Sequence, residues 1–307
     1  YEAKKAFFSF EAKGVLFVSC CMPTWLRRAF SSGLLTALIK KQPVEGEPIE
    51  ARPVNAGDSD VSTWCKALQR EVTKQVAGEV SPQQLGVGVS GGVEQLVLGI
   101  KVTLEHFAEL GRPTVAVAMD LKNAHNAFSR QAAHTELEEA AKRNSALACL
   151  VYAHQAISSQ ANAIYVRART AMGFSKLCDS CCGGAQGNGL TGINFCLLVN
   201  LVLKKIEARF NGVIVRAIQD DITLIGDPDD IFGEGGALEF AINELQKLRL
   251  EPALHKFQLF GTTAAACDNK PDWLKRTSIT KSDGEETYGI WVCGAAIGDH
   301  CCKVGRF

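Results

Sequence analysis

The chain carries no excess of charge of either sign: 33 Lys and Arg stand against 33 Asp and Glu. Capture of a polyanion by net charge is therefore excluded, and any nucleic-acid binding has to come from the placement of basic residues. Such residues do gather locally, at Arg27-Arg28, Lys40-Lys41, Arg167 with Arg169, Lys204-Lys205 and Lys275-Arg276. No apolar run is long enough to span a bilayer; the longest, from Ile193 to Leu203, is interrupted by Asn200 and reads as a buried helix, so no membrane partner is expected. No signal-peptide pattern, internal repeat or low-complexity tail is visible. The glycine-rich span Gly86 to Gly92 has neither a Walker lysine nor a dinucleotide pattern and reads as a connector. Cysteine is plentiful, with 12 residues, but what is missing is metal spacing. Neither Cys178-Asp179-Ser180-Cys181-Cys182 nor His300-Cys301-Cys302 has a second Cys/His pair at finger or ribbon distance, so no zinc is expected. Cys65, Cys149, Cys196, Cys267 and Cys293 lie in apolar stretches, where a thiol behaves as a small hydrophobe. Free thiols imply a reducing intracellular compartment, nucleus or cytoplasm. Tyr1 rather than Met at the start leads to the expectation of a fragment of a longer polypeptide.

What is present is an ordinary globular composition, 47% hydrophobic and 21% charged over 307 residues, enough for one large domain or two smaller ones. Apolar spacing predicts helices over Trp25 to Lys41, Asp60 to Ala77, Val93 to Leu110, Gln131 to about Gln160, Leu190 to Phe210 and Leu238 to Leu248. Residues 42–50 and 261–286 read as loop and polar connector. The run Pro113 to Met119 reads as a buried strand, and Val213 to Ile218 with Ile222 to Ile225 as a hairpin. The order of elements predicts an α+β fold with an antiparallel sheet and helices on one face.

Asp220-Asp221 falls at the tip of that hairpin, and Asp120 ends the buried strand. Adjacent carboxylates repel unless a divalent cation neutralises them. A third carboxylate from a neighbouring strand would complete a set able to hold two Mg²⁺ ions about 4 Å apart, the arrangement that stabilises both attacking and leaving oxygens in phosphoryl transfer.

Around these carboxylates the sequence resembles the ordered motifs of a reverse transcriptase domain, closest to the non-LTR retrotransposon type. The matching stretches are Leu38-Ile39-Lys40-Lys41 with Ala51-Arg52-Pro53-Val54, Gln84 to Gly92, Asp120-Leu121-Lys122-Asn123-Ala124-His125-Asn126, Gly184-Ala185-Gln186-Gly187-Asn188, Gln219-Asp220-Asp221, Leu254 to Phe260, and the primer-grip-like Gly289 to Gly298. The resemblance covers about residues 30 to 300. It implies a right-hand polymerase with the thumb largely absent: fingers over 1–112, palm over 113–262, connector and primer-grip hairpin over 263–307.

It further implies an RNA-directed DNA polymerase that takes an RNA template, a DNA primer and dNTPs and uses Mg²⁺, with Mn²⁺ as the alternative. Asp120, Asp220, Asp221 and the main-chain carbonyl of Leu121 would hold the metals, and Lys256 would serve the leaving pyrophosphate. Lys40 and Arg52 would meet the triphosphate, Gln186 and Gly187 the templating base and nucleotide, and His125 the sugar. The chain departs from the family pattern at three places: His125 replaces Phe or Tyr, Asn188-Gly189 replaces Asp-Pro, and Ile218 replaces an aromatic residue. The departures leave open a catalytically silent remnant or RNA-binding module. An unrelated α/β protein with a structural ion is the third reading.

Overall fold

Alternation of apolar and polar residues and clusters of β-branched side chains set the strands, and runs with a 3.6-residue period set the helices. The computed structural model describes residues 13–14, 22–39, 42, 51–159, 161–167, 173–185, 187–280, 284 and 286–298, with the side chains of 37–38 and 51–53 outside that description. In chain order a helix Thr24–Ser31 precedes strands β1 (Gly33–Ile39) and β2 (Ala51–Gly57), then helices Ser59–Val80 and Gly92–Glu109. Next come β3 (Val115–Met119), β4 (Leu121–Lys122), short helix Ala124–Ala127, helices Arg130–Arg143 and Ala148–Ser158, β5 (Asn162–Arg167) and β6 (Phe174–Ser180). Helix Gly189–Arg209 leads to β7 (Ile214–Ile218) and β8 (Asp221–Gly226), helices Pro228–Phe232 and Ala237–Lys247, β9 (Glu251–Pro252) and β10 (Gln258–Gly261). The chain closes with β11 (Ser278–Thr280), β12 (Glu286–Val292) and β13 (Ala295–Gly298).

Two compact units emerge, one from 1–76 with 125–195, the other from 77–124 with 196–307. In the first, four strands run in the order β2-β1-β5-β6. Here the predicted helix Trp25 to Lys41 is corrected: it stops at Ser31, and Leu34 to Ile39 form a strand. Ser32 turns extended, and the leucines pair antiparallel with β2 from Gly33↔Gly57 to Ile39↔Ala51. Pairing with distant chain thus overrides a weak helical period. The predicted tract Gln131 to Gln160 is likewise two helices, parted at Asn144, whose extended backbone and side-chain acceptance of the Ala146 N–H end the first. Strands β5 and β6 had no counterpart in the sequence reading.

In the second unit β10, β3, β8 and β7 form a fully antiparallel sheet in that order. Helix Gly92–Glu109 packs Leu96, Val97, Ile100 and Leu104 into a core with Ala116, Ile225 and Phe260. Ile290, Val292 and Ile297 of the sheet β11-β12-β13 join the same core. Full burial of each large side chain there stabilises by about 2 kcal/mol. Strand β11 lies within residues 261–286, which were expected to be a connector only. Contrary to the expectation from its apolar run, helix Gly189–Arg209 is long and apolar enough to cross a membrane by length and composition alone, but 72% of its most apolar stretch is buried, as for a core helix.

Candidate functional site

β7 and β8 are joined through Gln219 and Asp220, with Ile218 paired to Asp221. So short a connection needs a backbone turn that L-residues adopt reluctantly, and Gln219 takes it with φ 55°. The compensation comes from Gln84, which is fully buried. Its Oε1 accepts from the Gln219 N–H at 2.7 Å and from the Gly86 N–H at 3.1 Å, and its Nε2 donates to the Gln219 carbonyl at 3.2 Å. Gly86 fits this clamp because a Cβ there would come within 2.9 Å of the Gln219 nitrogen. A parallel bridge Gln84↔Ala217 and the bonds Ala217 N to Gln83 O and Leu85 N to Ala217 O complete the attachment. The Gln84-Leu85-Gly86 spelling was the sequence signal for this support, and sequence reasoning took it only for a connector and a family block.

Asp120 reaches the same place through the sheet. β3 pairs antiparallel with β8, ending at Met119↔Ile222, so one more step in register sets Asp120 across from Asp221. Side chains directly opposite on adjacent strands share a face. The Asp221 carboxyl is held above the usual carboxylate range, first by desolvation, then by Asp220, and more weakly by Asp120, while the Cys293 thiol works in the opposite direction. Lys256, in the short turn Leu254–Lys256, points Nζ at Asp120, 3.3 and 3.4 Å from its two oxygens. Asp120, Asp221, Lys256, Gln258 and Trp291 line a small cleft of about 50 Å³. The Trp291 N–H donates to Gln258 Oε1 at 2.7 Å, which fastens β12 at the cleft.

Two cysteines flank these carboxylates. Cys293 sits in the turn between β12 and β13, with φ 48° followed by Gly294 at 82°, and donates its thiol to Asp221 Oδ2 at 3.5 Å. Cys196 is buried, and its thiol is pushed up to about 12 by burial and then by Asp220. Both were taken from sequence as packing residues only, and nothing in the local sequence announced the Cys293 hydrogen bond to Asp221.

Three carboxylates therefore interact in one sheet. Among the described residues, however, no group of three or more His, Cys, Asp or Glu is drawn together into a ready metal cluster. Carboxylate oxygens are hard donors of the kind that Mg²⁺ or Mn²⁺ takes, and Asp120, Asp220 and Asp221 are the residues that would hold such an ion here. Leu121 lies in β4 opposite Pro252, and the Ala253 N–H donates to the Asp120 carbonyl at 2.9 Å.

The remaining candidates belong to the first unit. His125, in the helix Ala124–Ala127, is partly covered and lays its ring on Phe195, centroids 4.6 Å apart, while its carbonyl accepts from the Gly184 N–H at 2.8 Å. Gly187 has φ 103°, a conformation only glycine adopts readily, and nothing lies within 4 Å of the Cβ it lacks. Arg52 pairs with Leu38 through the backbone, and its side chain is outside the described residues, as are Lys40 and Gln186.

No protein-family model matches the sequence, and no curated protein does. Solved structures do. The chain is similar to apo telomerase from Candida tropicalis truncated from its C-terminal domain, with a TM-score of 0.51 and 12% identity over 76% of this chain and 50% of that one. It is similar to telomerase from Candida tropicalis in complex with a fragment of telomeric RNA, with a TM-score of 0.53 and 13% identity over 76% and 41% of the two chains. It is also similar to the RNA-dependent RNA polymerase of a human picobirnavirus, with a TM-score of 0.50 and 14% identity over 74% and 40%. The fold is thus a reverse-transcriptase-like polymerase fold, and the chain spans half or less of the length of these structures.

Proposed function

We propose that this chain is the RNA-directed DNA polymerase domain of a non-LTR retrotransposon-derived polypeptide, joining a dNTP to a primer 3′-hydroxyl on an RNA template. The observation that carries it is the register that sets Asp120 across from Asp221, beside Asp220, in the antiparallel sheet of a polymerase-type fold. In this reading that sheet is the palm, residues 1–112 are the fingers, and β12 with β13 is the primer grip. Asp120, Asp220, Asp221 and the Leu121 carbonyl would hold Mg²⁺, which when bound supplies acidity to the primer hydroxyl and charge compensation to the triphosphate. Lys256 leaves its pairing with Asp120 to place its ammonium on the leaving pyrophosphate. Trp291 offers an exposed ring beside the cleft for a primer nucleotide. Lys40, Arg52, Gln186, Gly187 and His125 take the nucleotide-contacting roles given above. The eight described cysteines are all free, which suits an intracellular setting, nucleus or cytoplasm.

Primer extension by the purified chain on RNA and DNA templates with Mg²⁺ tests the reading. Extension that Asp220→Ala abolishes supports it. A second reading, a silent reverse-transcriptase-like module, is favoured by the lack of a ready metal cluster among the described residues and by His125, Asn188, Gly189 and Ile218. RNA binding without extension in either Mg²⁺ or Mn²⁺ selects it.

A further inference from the structure

The first unit holds a second polar cavity of about 430 Å³, within the size range of small-molecule sites. Helix Arg130–Arg143 contributes Arg130, Gln131 and His134; helix Ala148–Ser158 contributes His154 and Gln155; Cys181 follows β6. His154 is 4% exposed, and its Nε2 has no hydrogen-bond partner; the buried Nδ1 of His134 has none either. Two orphaned ring nitrogens at one cavity are costly for a folded protein to keep unless something fills them.

The chemistry of the lining says what. Among the described residues no Asp or Glu borders the cavity. Its charged and chargeable groups are Arg130, His134, His154 and Cys181, and its other polar groups include two amides and the hydroxyls of Ser158 and Ser159. The far nitrogen of His134 lies 3.6 Å from Glu138, which leaves Nδ1 as the ring nitrogen without a partner. The cavity borders the first turns of helix Arg130–Arg143, the positive end of its dipole; the carbonyl end of helix Ala148–Ser158 opposes this in part. A metal ion fits poorly. The two rings are stacked, 25° from parallel with centroids 5.5 Å apart, so lone pairs lying in the ring planes run side by side instead of meeting at one ion.

We propose that this cavity binds a phosphate-bearing anion of about mononucleotide size, held by the free nitrogens of His154 and His134, the amides of Gln131 and Gln155, and the field of Arg130. Arg130 acts through charge, since its guanidinium donates to the Ser180 and Gly183 carbonyls and the Ser180 hydroxyl. The site is independent of the polymerase reading.

The test is titration of the full chain with inorganic phosphate, AMP and a short oligoadenylate, read by calorimetry and by the NMR signal of His154, assigned by its loss in His154→Gln. The expected result is saturable binding of at least one probe at one site per chain, with a shift of the His154 signal. Gln131→Glu combined with Gln155→Glu, both exposed and isosteric, should weaken it at least tenfold, while Asp221→Asn leaves it unchanged. Phosphate binding as tightly as AMP marks a site for the phosphate alone and overturns the mononucleotide size, whereas preference for the oligomer marks a backbone-phosphate site and supports the assignment. Failure of all three probes to bind, binding that does not move the His154 signal, binding unaffected by the double substitution, or binding lost in Asp221→Asn would overturn it.

Discussion

Cys293 donates a thiol hydrogen bond to the Asp221 carboxylate, Sγ to Oδ2 at 3.5 Å, so the turn after β12 is one of the groups that favour the ionised form of this acid among its neighbours. The thiol itself is pushed up to about 12, first by burial and then by Asp221, so it stays a donor at any ordinary pH. Asp221→Asn removes a carboxylate that burial and Asp220 both disfavour. It should leave the metal-free protein equally stable or slightly more stable, by up to about 1 kcal/mol, at neutral pH. Thermal melts with and without Mg²⁺ check this, and under the proposed function Mg²⁺ should raise the melting temperature of the parent more than that of the variant.

Lys256→Met separates structure from chemistry. The pair with Asp120 is half-exposed, so its loss should cost less than about 1 kcal/mol of stability. Single-nucleotide incorporation should nevertheless fall about 10²-fold or more if the ammonium serves the leaving group. Equal rates for parent and variant would remove Lys256 from the site.

Gln84→Met deletes the clamp on the hairpin tip. It leaves the Gln219 and Gly86 N–H groups without their acceptor in a buried setting. The expected loss is about 2–4 kcal/mol. Hydrogen exchange at the Gln219 amide should accelerate more than at amides in the middle of β8, and uniform acceleration throughout the sheet would argue against a local clamp.

His125→Phe tests the sugar gate. A phenyl ring can keep the stack on Phe195 while filling more space, so the fold should tolerate it. Discrimination of dNTP over rNTP should rise about ten- to a hundredfold. Unchanged discrimination between two active proteins places His125 away from the sugar.

His154 should make the protein acid-sensitive. Burial, with help from His134 and Arg130, lowers its pKa from 6.5 to about 4. Between those values the unfolded chain takes up a proton that the folded one refuses, so stability falls as pH drops through that window and the loss is complete near pH 4. The size is on the order of 3 kcal/mol. His154→Gln should flatten this part of the pH–stability curve, and parallel curves for the two proteins would show that the ring does not titrate differently on folding.

The hairpin, the strand ending at Asp120 and most long helices were legible because each is written within a dozen neighbouring residues. Leu34 to Ile39 were not, since their strand depends on partners at Ala51–Gly57 and Asn162–Arg167 that a local window cannot see. The exposed β6 was hidden for a different reason: it has almost no buried face to leave a pattern. At the site, the acids and Lys256 were readable as residue types. Their supports, Gln84 and Cys293, were not, because a buried amide and a turn thiol look like filler until the chain brings Gln219 and Asp221 to them.

The central place of β3 in its sheet has a kinetic consequence. Its neighbours β8 and β10 lie about a hundred residues or more down the chain, and Lys256 meets Asp120 across 136 positions. Contacts of such high sequence separation close slowly. During synthesis Asp120 must therefore wait, unpaired, until β8 and then β10 have left the ribosome. A chain shortened before Gln258 would keep all three aspartates yet lose an outer strand of the sheet, so under the proposed function Mg²⁺-dependent stabilisation would report completed folding.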